Sequence, residues 1–135
     1  MWGGVGFVLL LQVGGVLELA SNMSYQKSYM PAINYLKSNI SSNTSVIGSP
    51  QLGFALGFDG NLTDDISLGY YSGKKPDLIV VGEDYRLAFN NFRANRYEVY
   101  QHITNRLKTE YKPVYDKENF TIYARNQMVD KMATK

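Results

Sequence analysis

The chain contains no cysteine. This absence excludes disulfide frameworks, thiolate nucleophiles, and zinc or iron–sulfur sites with cysteine ligands. Histidine is almost as scarce, with His102 as the single example, so a metal site built from several histidines is excluded as well. The missing cysteines do not assign a compartment, because a domain with an adequate core needs no disulfides outside the cell.

Runs of positive charge are missing too. The 14 lysines and arginines leave a net charge of only +2 and are spread along the sequence. A nucleic-acid arm or a polybasic membrane tether typically shows about five or six consecutive basic residues, so we expect no nucleic-acid partner. With 135 residues, of which 44% are hydrophobic, the chain has room for one globular domain with a modest core and an attachment.

The first seventeen residues, MWGGVGFVLLLQVGGVL, carry no charge. As a helix they span about 26 Å, slightly less than the roughly 30 Å hydrocarbon core of a bilayer. A cleaved signal peptide would need basic residues before the apolar run, whereas the first basic residue is Lys27. A buried core helix is a second alternative, although its glycines are unfavourable in a soluble helix. We favour a third interpretation, the last part of a transmembrane helix, where glycine is common.

A helix is predicted after this run, because apolar residues recur at three- and four-residue spacing up to about Asn39. Pro31 predicts a kink in this helix or the start of a new one. The predicted buried face comprises Tyr25, Tyr29, Ala32, Ile33, Leu36 and Ile40.

Short segments of β-type residues follow. The predicted strands are Ser45–Gly48, Ile66–Tyr71, Asp77–Gly82, Tyr111–Tyr115 and Phe120–Ala124. Ser49 and Pro50 predict a helix start directly behind the first strand. The near-continuous aliphatic run Asp77–Gly82 is typical of a central strand that is covered on both faces. The last two strands flank the turn DKEN and predict a terminal hairpin.

The remaining segments are more polar. Glu83–Asn95 is predicted as a loop with one helical turn, and Arg96–Glu110 as a helix. In that helix the apolar stripe is predicted to contain Tyr97, Tyr100, Ile103 and Leu107, with His102 and Arg106 off it. The chain from Asn126 onward is predicted as a loose polar tail.

These segments predict an α/β fold, a small mixed β-sheet of about five strands packed with helices and preceded by the end of a transmembrane helix. The corresponding division of the chain is the transmembrane end at 1–20, an extracytoplasmic α/β domain at 21–126 and a polar tail at 127–135. The strand order cannot be read from the sequence.

Glu83, Asp84 and Tyr85 follow the predicted central strand, at the carboxyl end where open α/β sheets tend to bind ligands. We predict these three residues as acceptor or ligand contacts, with helix capping as the alternative role of the two acids. No nucleophile, general base or metal-ligand set is readable, so we name no catalytic residue, metal or cofactor. The tyrosines that could stack on sugars or contact lipid headgroups are Tyr70, Tyr71, Tyr85, Tyr97 and Tyr100.

Three further features are interpreted without assigning chemistry to them. The acidic segment 59–65 lacks the spacing of an EF-hand and is read as a solvated turn, with a weak cation site as the alternative. His102 is predicted as a surface or hydrogen-bonded histidine. Sequons for N-glycosylation occur at Asn22, Asn39, Asn43, Asn61 and Asn119.

The order of these segments resembles a known family. "AINYLKSNI", "VIGSPQLGFALGF", "KKPDLIVVG" and "LKTEYKPVYDKENFTIYAR", after a membrane helix, are similar to the C-terminal extracytoplasmic domain of GT-C superfamily membrane glycosyltransferases. The similar members are the dolichyl-phosphate-mannose protein mannosyltransferases and the lipid A aminoarabinose transferase. The resemblance spans roughly residues 5–126.

The resemblance implies an accessory domain of a glycosyltransferase that uses a polyprenyl-phosphate-linked sugar donor. It implies that the catalytic acidic residue lies in the first extracytoplasmic loop of the parent protein and that the donor binds among its membrane helices. This domain is then expected to contribute to acceptor binding. The implied partners are membrane lipid, the transmembrane part of the parent and a glycan or protein acceptor. Two other hypotheses remain: a membrane-anchored, non-enzymatic binding module, and a soluble α/β domain whose first helix is core.

Overall fold

The structure is a computed structural model, and it describes residues 29–41, 43–50, 52–53, 61–117 and 119–133. The predicted transmembrane end at 1–20 lies outside these residues. None of the helices within the described ranges is long and apolar enough to cross a membrane.

A five-stranded mixed sheet forms the centre of the described structure. Its strands are β1 (Val46–Ile47), β2 (Leu62–Thr63), β3 (Leu78–Val81), β4 (Tyr111–Lys117) and β5 (Phe120–Arg125). They lie in the order β2-β1-β3-β5-β4. The first three run parallel to one another, and β5 is antiparallel to both of its neighbours. The predicted α/β class with a small mixed sheet is therefore confirmed.

Four helices of the described chain pack around this sheet. They are α1 (residues 29–39), α2 (Glu83–Asn95), α3 (Tyr97–Thr109) and α4 (Asn126–Ala133). Pro31 lies inside α1, which ends at Asn39 as predicted. The helix predicted to start at Ser49-Pro50 is described only as a helical turn at residues 52–53.

One face of the sheet is covered by α1. Successive residues of a strand point to opposite faces, so Val46, Leu78 and Val80 share this face. They belong to one buried cluster with the apolar side of α1, which contributes Tyr29, Ala32, Ile33 and Leu36. The predicted buried face of this helix is confirmed for these four residues, and Tyr25 lies outside the described part of the chain.

The opposite face of the sheet is covered by α2 and α3. Ile47, Ile79 and Val81 form a second buried cluster with residues of these helices, among them Tyr85 and Ile103. All four residues of β3 are buried, so the aliphatic strand is central and covered on both faces, as predicted. The hairpin of β4 and β5 is confirmed as well.

The predicted strand at Ile66–Tyr71 is wrong. This segment is a series of turns, and the strand beside β1 is Leu62–Thr63 instead. Leu68 has a φ of 47° and Gly69 a φ of 84°, both in the left-handed region and incompatible with an extended strand. Of the large apolar side chains in this segment, Leu68 is buried, whereas Ile66, Tyr70 and Tyr71 are exposed.

The predicted loop at Glu83–Asn95 is also wrong, because the whole segment is helical. Tyr85, Phe89 and Phe92 recur at helical spacing and join the second buried cluster, which stabilises the helix despite its polar sequence.

In α3 the helix is confirmed, and its predicted stripe is confirmed in part. Ile103 is buried and Leu107 packs against the second cluster, but Tyr97 is 55% exposed, and Val99 and Arg106 are buried instead. The predicted loose tail is likewise helical: Met128 and Val129 of α4 pack against the first cluster.

Candidate functional site

The carboxyl ends of the three parallel strands lie at one edge of the sheet, and the predicted contacts Glu83 and Asp84 lie there, directly after β3. Both side chains are exposed in the first turn of α2, where acidic groups are favourable. Asp84 Oδ1 accepts a hydrogen bond from the backbone N–H of Tyr85 at 2.9 Å. These two carboxylates are available to a ligand, and their predicted contact role stays a prediction.

Tyr85 is placed differently, because its side chain is only 1% exposed. Its hydroxyl donates to Asp64 Oδ1 at 2.8 Å and accepts from the N–H of Asp65 at 3.0 Å. Burial, and then the hydrogen bond to Asp64, raise the pKa of Tyr85 well above its usual value. Tyr85 therefore holds α2 against the segment that follows β2, and its hydroxyl proton is already used in the hydrogen bond to Asp64.

A second group of side chains forms an exposed aromatic and cationic surface. We call it the tyrosine–arginine surface, and it consists of Tyr70, Tyr71, Arg93, Arg96, Tyr97 and Tyr100. Three of its rings are large exposed apolar groups, with exposed fractions of 40% for Tyr70, 60% for Tyr71 and 55% for Tyr97.

Contacts connect this surface across two parts of the chain. The rings of Tyr70 and Tyr71 meet edge to face, with centroids 4.9 Å apart. The Arg96 guanidinium lies over the Tyr71 ring at 5.3 Å and so links this pair to the start of α3. On α3 the rings of Tyr97 and Tyr100 lie 5.8 Å apart. Tyr70 and Tyr71 thus meet Arg96, which is far from them in sequence, and the Tyr97–Tyr100 pair follows Arg96 directly in the chain.

The segment that carries Tyr70 and Tyr71 is held in place by Asp65. We call residues 66–72 the tyrosine loop. The Asp65 carboxylate accepts hydrogen bonds from Ser67 Oγ at 2.6 Å, Gly69 N at 3.0 Å and Ser72 Oγ at 2.7 Å. Burial raises the pKa of Asp65, but the hydrogen bonds outweigh it and lower the pKa below its usual value.

The tyrosine loop is also anchored to α3 through the backbone of Leu68. The Leu68 side chain is fully buried, and Arg106 Nη1 donates to the Leu68 carbonyl at 2.7 Å. The same guanidinium nitrogen donates to the Lys74 carbonyl at 2.7 Å, and His102 Nε2 lies 3.0 Å from the Leu68 oxygen. The prediction of a hydrogen-bonded His102 is confirmed. Because the loop is held from several sides, its tyrosines are positioned before any ligand arrives.

The sequence found only part of this surface. Tyr70, Tyr71, Tyr97 and Tyr100 were among the tyrosines predicted to contact sugars or headgroups, but the two arginines were missed. Local spacing carried no signal for Arg93, because it lies on α2 and reaches the Tyr100 ring on α3 across the break between the two helices at Arg96.

A cleft of about 450 Å³ lies at the opposite edge of the sheet, lined by Lys75, Thr109, Glu110, Arg125, Asn126 and Gln127. Its two cations are already paired. Lys75 Nζ lies 3.9 Å from Glu110 Oε2, and Arg125 Nη2 lies 3.2 Å from Asp77 Oδ1. Glu110 Oε2 also lies 3.7 Å from Arg106 Nε, so this carboxylate is shared between two cations.

Metal-binding side chains do not cluster in the described residues, where no group of three or more histidine, aspartate or glutamate side chains could hold an ion. The tyrosine–arginine surface is thus the feature of the described chain best suited to contact a ligand. In comparisons with known proteins, no family model, no curated protein and no solved structure matches this chain.

Proposed function

We propose that this chain is an accessory extracytoplasmic domain of a membrane glycosyltransferase that uses a polyprenyl-phosphate-linked sugar donor. In this proposal the domain contributes to acceptor binding and not to the chemical step. The resemblance of the sequence to GT-C glycosyltransferases motivates it. The single structural observation that supports it is the tyrosine–arginine surface, because exposed aromatic rings on an anchored loop are suited to bind carbohydrate.

The physical argument rests on the amphipathic nature of both partners. A pyranose ring has a face of C–H groups and an edge of hydroxyls, and a tyrosine ring has an apolar face and a polar hydroxyl. Stacking of the two removes apolar area from water while both sets of hydroxyls keep their hydrogen bonds. Tyr71 and Tyr97, the most exposed of the rings, are the residues that we expect to contact the acceptor first.

The alternative function is a membrane-anchored, non-enzymatic binding module for a protein or an envelope glycan. The same surface supports it, because tyrosine and arginine are enriched in protein interfaces. The sequence of the full protein distinguishes the transferase from the binding module. Further membrane helices with an acidic first loop favour the transferase, and a single membrane anchor favours the module.

The location of the domain is tested by cysteine labelling, because the natural chain has no cysteine that would react in the background. Asn90→Cys places a thiol on the exposed side of α2. We expect a membrane-impermeant maleimide to label this variant in intact cells. Ile103→Cys, at a buried position, is the control for a folded domain and should stay unlabelled. Labelling of Asn90→Cys only after lysis would contradict both the transferase and the module.

The role in acceptor binding is tested by kinetics of the parent protein in membranes. Tyr71→Ala and Tyr97→Ala should each lower kcat/KM for the acceptor by about tenfold, which corresponds to the loss of about 1.4 kcal/mol of binding. The KM for the lipid-linked donor should stay unchanged. Lys112→Ala, an exposed change on β4, serves as the control. Equal acceptor kinetics in all three variants would exclude the surface from acceptor binding.

A further inference from the structure

We infer that the tyrosine–arginine surface recognises a glycan that carries acidic groups, with the tyrosine rings taking the sugar faces and the arginines taking a carboxylate, sulfate or phosphate. This inference rests on the proposed function in one respect, that the ligand is carbohydrate. It adds the chemical class of the ligand and assigns separate roles to the two kinds of side chain.

Arg93 provides the first argument. Its guanidinium carbon lies 6.0 Å from the centre of the Tyr100 ring, and no carboxylate lies within ion-pairing distance of it among the described residues. A guanidinium that rests on a ring face still has N–H groups directed outward at its edge. These donors match the two oxygens of a carboxylate or of a sulfate.

Arg96 provides the second argument. Its guanidinium lies over Tyr71, and its only carboxylate among the described residues is Glu98, at 3.5 Å. Both side chains of this pair are more than half exposed, so the pair is weak and can exchange for a stronger bidentate partner. With two arginines and one acid, the surface has a surplus of positive charge that favours an anionic ligand.

The arrangement fits an acidic glycan better than a nucleic acid. Nucleic-acid binding depends on several simultaneous phosphate contacts, for which the chain has neither a basic run nor a large net charge. An acidic saccharide has charges that are spaced by whole sugar rings. Arg93 and Arg96 each lie over a tyrosine ring, so each combines one aromatic ring with one positive charge, as the binding of a charged sugar unit requires.

The test measures binding of saccharides to the full 135-residue chain in a polyoxyethylene detergent, which carries neither sugar nor charge. The probes are an oligogalacturonate, its neutral methyl ester and a sulfated oligosaccharide of the same length. We expect at least one acidic probe to bind about tenfold more tightly than the neutral ester. This advantage should shrink as salt is raised from about 50 to 500 mM, because salt screens exposed charges. The two acidic probes distinguish carboxylate from sulfate as the preferred group.

Two variants separate the roles of the side chains. Arg93→Gln should reduce the preference for the acidic probe, because one of the two arginines is lost, while leaving the affinity for the neutral ester unchanged. Tyr71→Ala should weaken both. Lys108→Gln, which removes an exposed cation about two helical turns beyond Tyr100, is the matched control and should change neither.

Three outcomes would overturn the inference. Equal affinity for both acidic probes and for the neutral methyl ester would show that acidic groups are not recognised. Absence of binding to every acidic probe would exclude acidic glycans as ligands of this surface. The proposed role in acceptor binding is tested separately, by the kinetics of the parent protein. Tighter binding of a deoxythymidine oligonucleotide than of any saccharide would identify the surface as a single-stranded nucleic-acid site.

Discussion

Gly69 and Gly73 are two glycines of left-handed conformation on either side of Tyr70 and Tyr71, and they differ in their surroundings. Gly69 has a φ of 84°, and a Cβ there would collide with the Lys74 carbonyl oxygen and the Arg106 guanidinium. Gly73 has a φ of 71°, but a Cβ there would meet nothing within 4 Å. The first position is restricted by conformation and by space, the second by conformation alone.

We therefore expect Gly69→Ala to lower the free energy of unfolding by about 2–4 kcal/mol and Gly73→Ala by about 1 kcal/mol. Only Gly69→Ala should also weaken saccharide binding, because Arg106 must move and the tyrosine loop loses its anchor. Urea unfolding of both variants measures the difference. Equal costs for the two substitutions would show that the close approach at Gly69 has no energetic consequence.

A site residue could be identified from sequence when its residue type alone suggests a ligand. The exposed tyrosines are examples, because their amphipathic rings can stack on sugars. The buried position of Arg106 could not be identified, because an arginine in a helix is normally exposed. It is buried here, at 7% exposure, since two backbone carbonyls from the loop require a donor that reaches both. That requirement arises only after the loop and α3 have packed together.

Helix α4 replaces the loose polar tail that the sequence predicts from Asn126 onward. Asn126 begins the helix, and its N–H donates to the Glu110 carbonyl at 3.0 Å. Met128 and Val129 are half-buried against the first cluster, whereas Gln127 and Asp130 are exposed. The interspersed polar residues concealed Met128 and Val129, which pack this helix against the first cluster.

The double variant Met128→Ala with Val129→Ala should lower the free energy of unfolding by about 1–3 kcal/mol, because part of two apolar side chains is returned to water. The matched double variant, Gln127→Ala with Asp130→Ala, changes only exposed positions and should stay within about 0.5 kcal/mol of the natural chain. Chemical denaturation provides the measurement. A loose tail, as the sequence indicated, would make both pairs neutral.

The other element-level errors have the same origin. The segment 66–72 has β-type residues. However, the Asp65 carboxylate accepts hydrogen bonds from backbone N–H and hydroxyl groups of this segment, and these bonds favour turns over a strand. Helix α2 was missed because its apolar positions are few. Both outcomes depend on contacts with other elements, whereas the aliphatic β3 and the hairpin of β4 and β5 were predicted correctly from local pattern.

The molecule as a whole buries several tyrosines, and this gives its stability a dependence on alkaline pH. Tyr111 is 2% exposed and donates its hydroxyl to the Pro76 carbonyl at 2.6 Å. Burial raises the pKa of Tyr111 from 10.0 to about 12. Burial also raises the pKa of Tyr85 and, with help from Asp116, that of Tyr123.

A group whose pKa is raised on folding binds its proton more tightly in the folded chain. Its contribution is complete below the unfolded pKa of 10.0 and is lost as the pH rises through the folded value of about 12. Tyr111 alone should reduce the free energy of unfolding by about 1.4 kcal/mol per pH unit in this window. In Tyr111→Phe this part of the slope should vanish. Urea unfolding at intervals across the window measures it, and an unchanged slope would exclude Tyr111 as a contributor.

The sequence alone was sufficient for the α/β class, the buried face of α1, the central aliphatic strand and the terminal hairpin, because periodicity and turn chemistry are local properties. The strand order and the tyrosine–arginine surface required tertiary packing. That surface combines residues 70–71 with residues 93–100. Asp65 shapes the tyrosine loop from within, and Arg106 of α3 holds the loop through its buried hydrogen bond to the Leu68 carbonyl. The bond from Arg106 to Leu68 joins groups that are distant in sequence, so no local pattern predicts it.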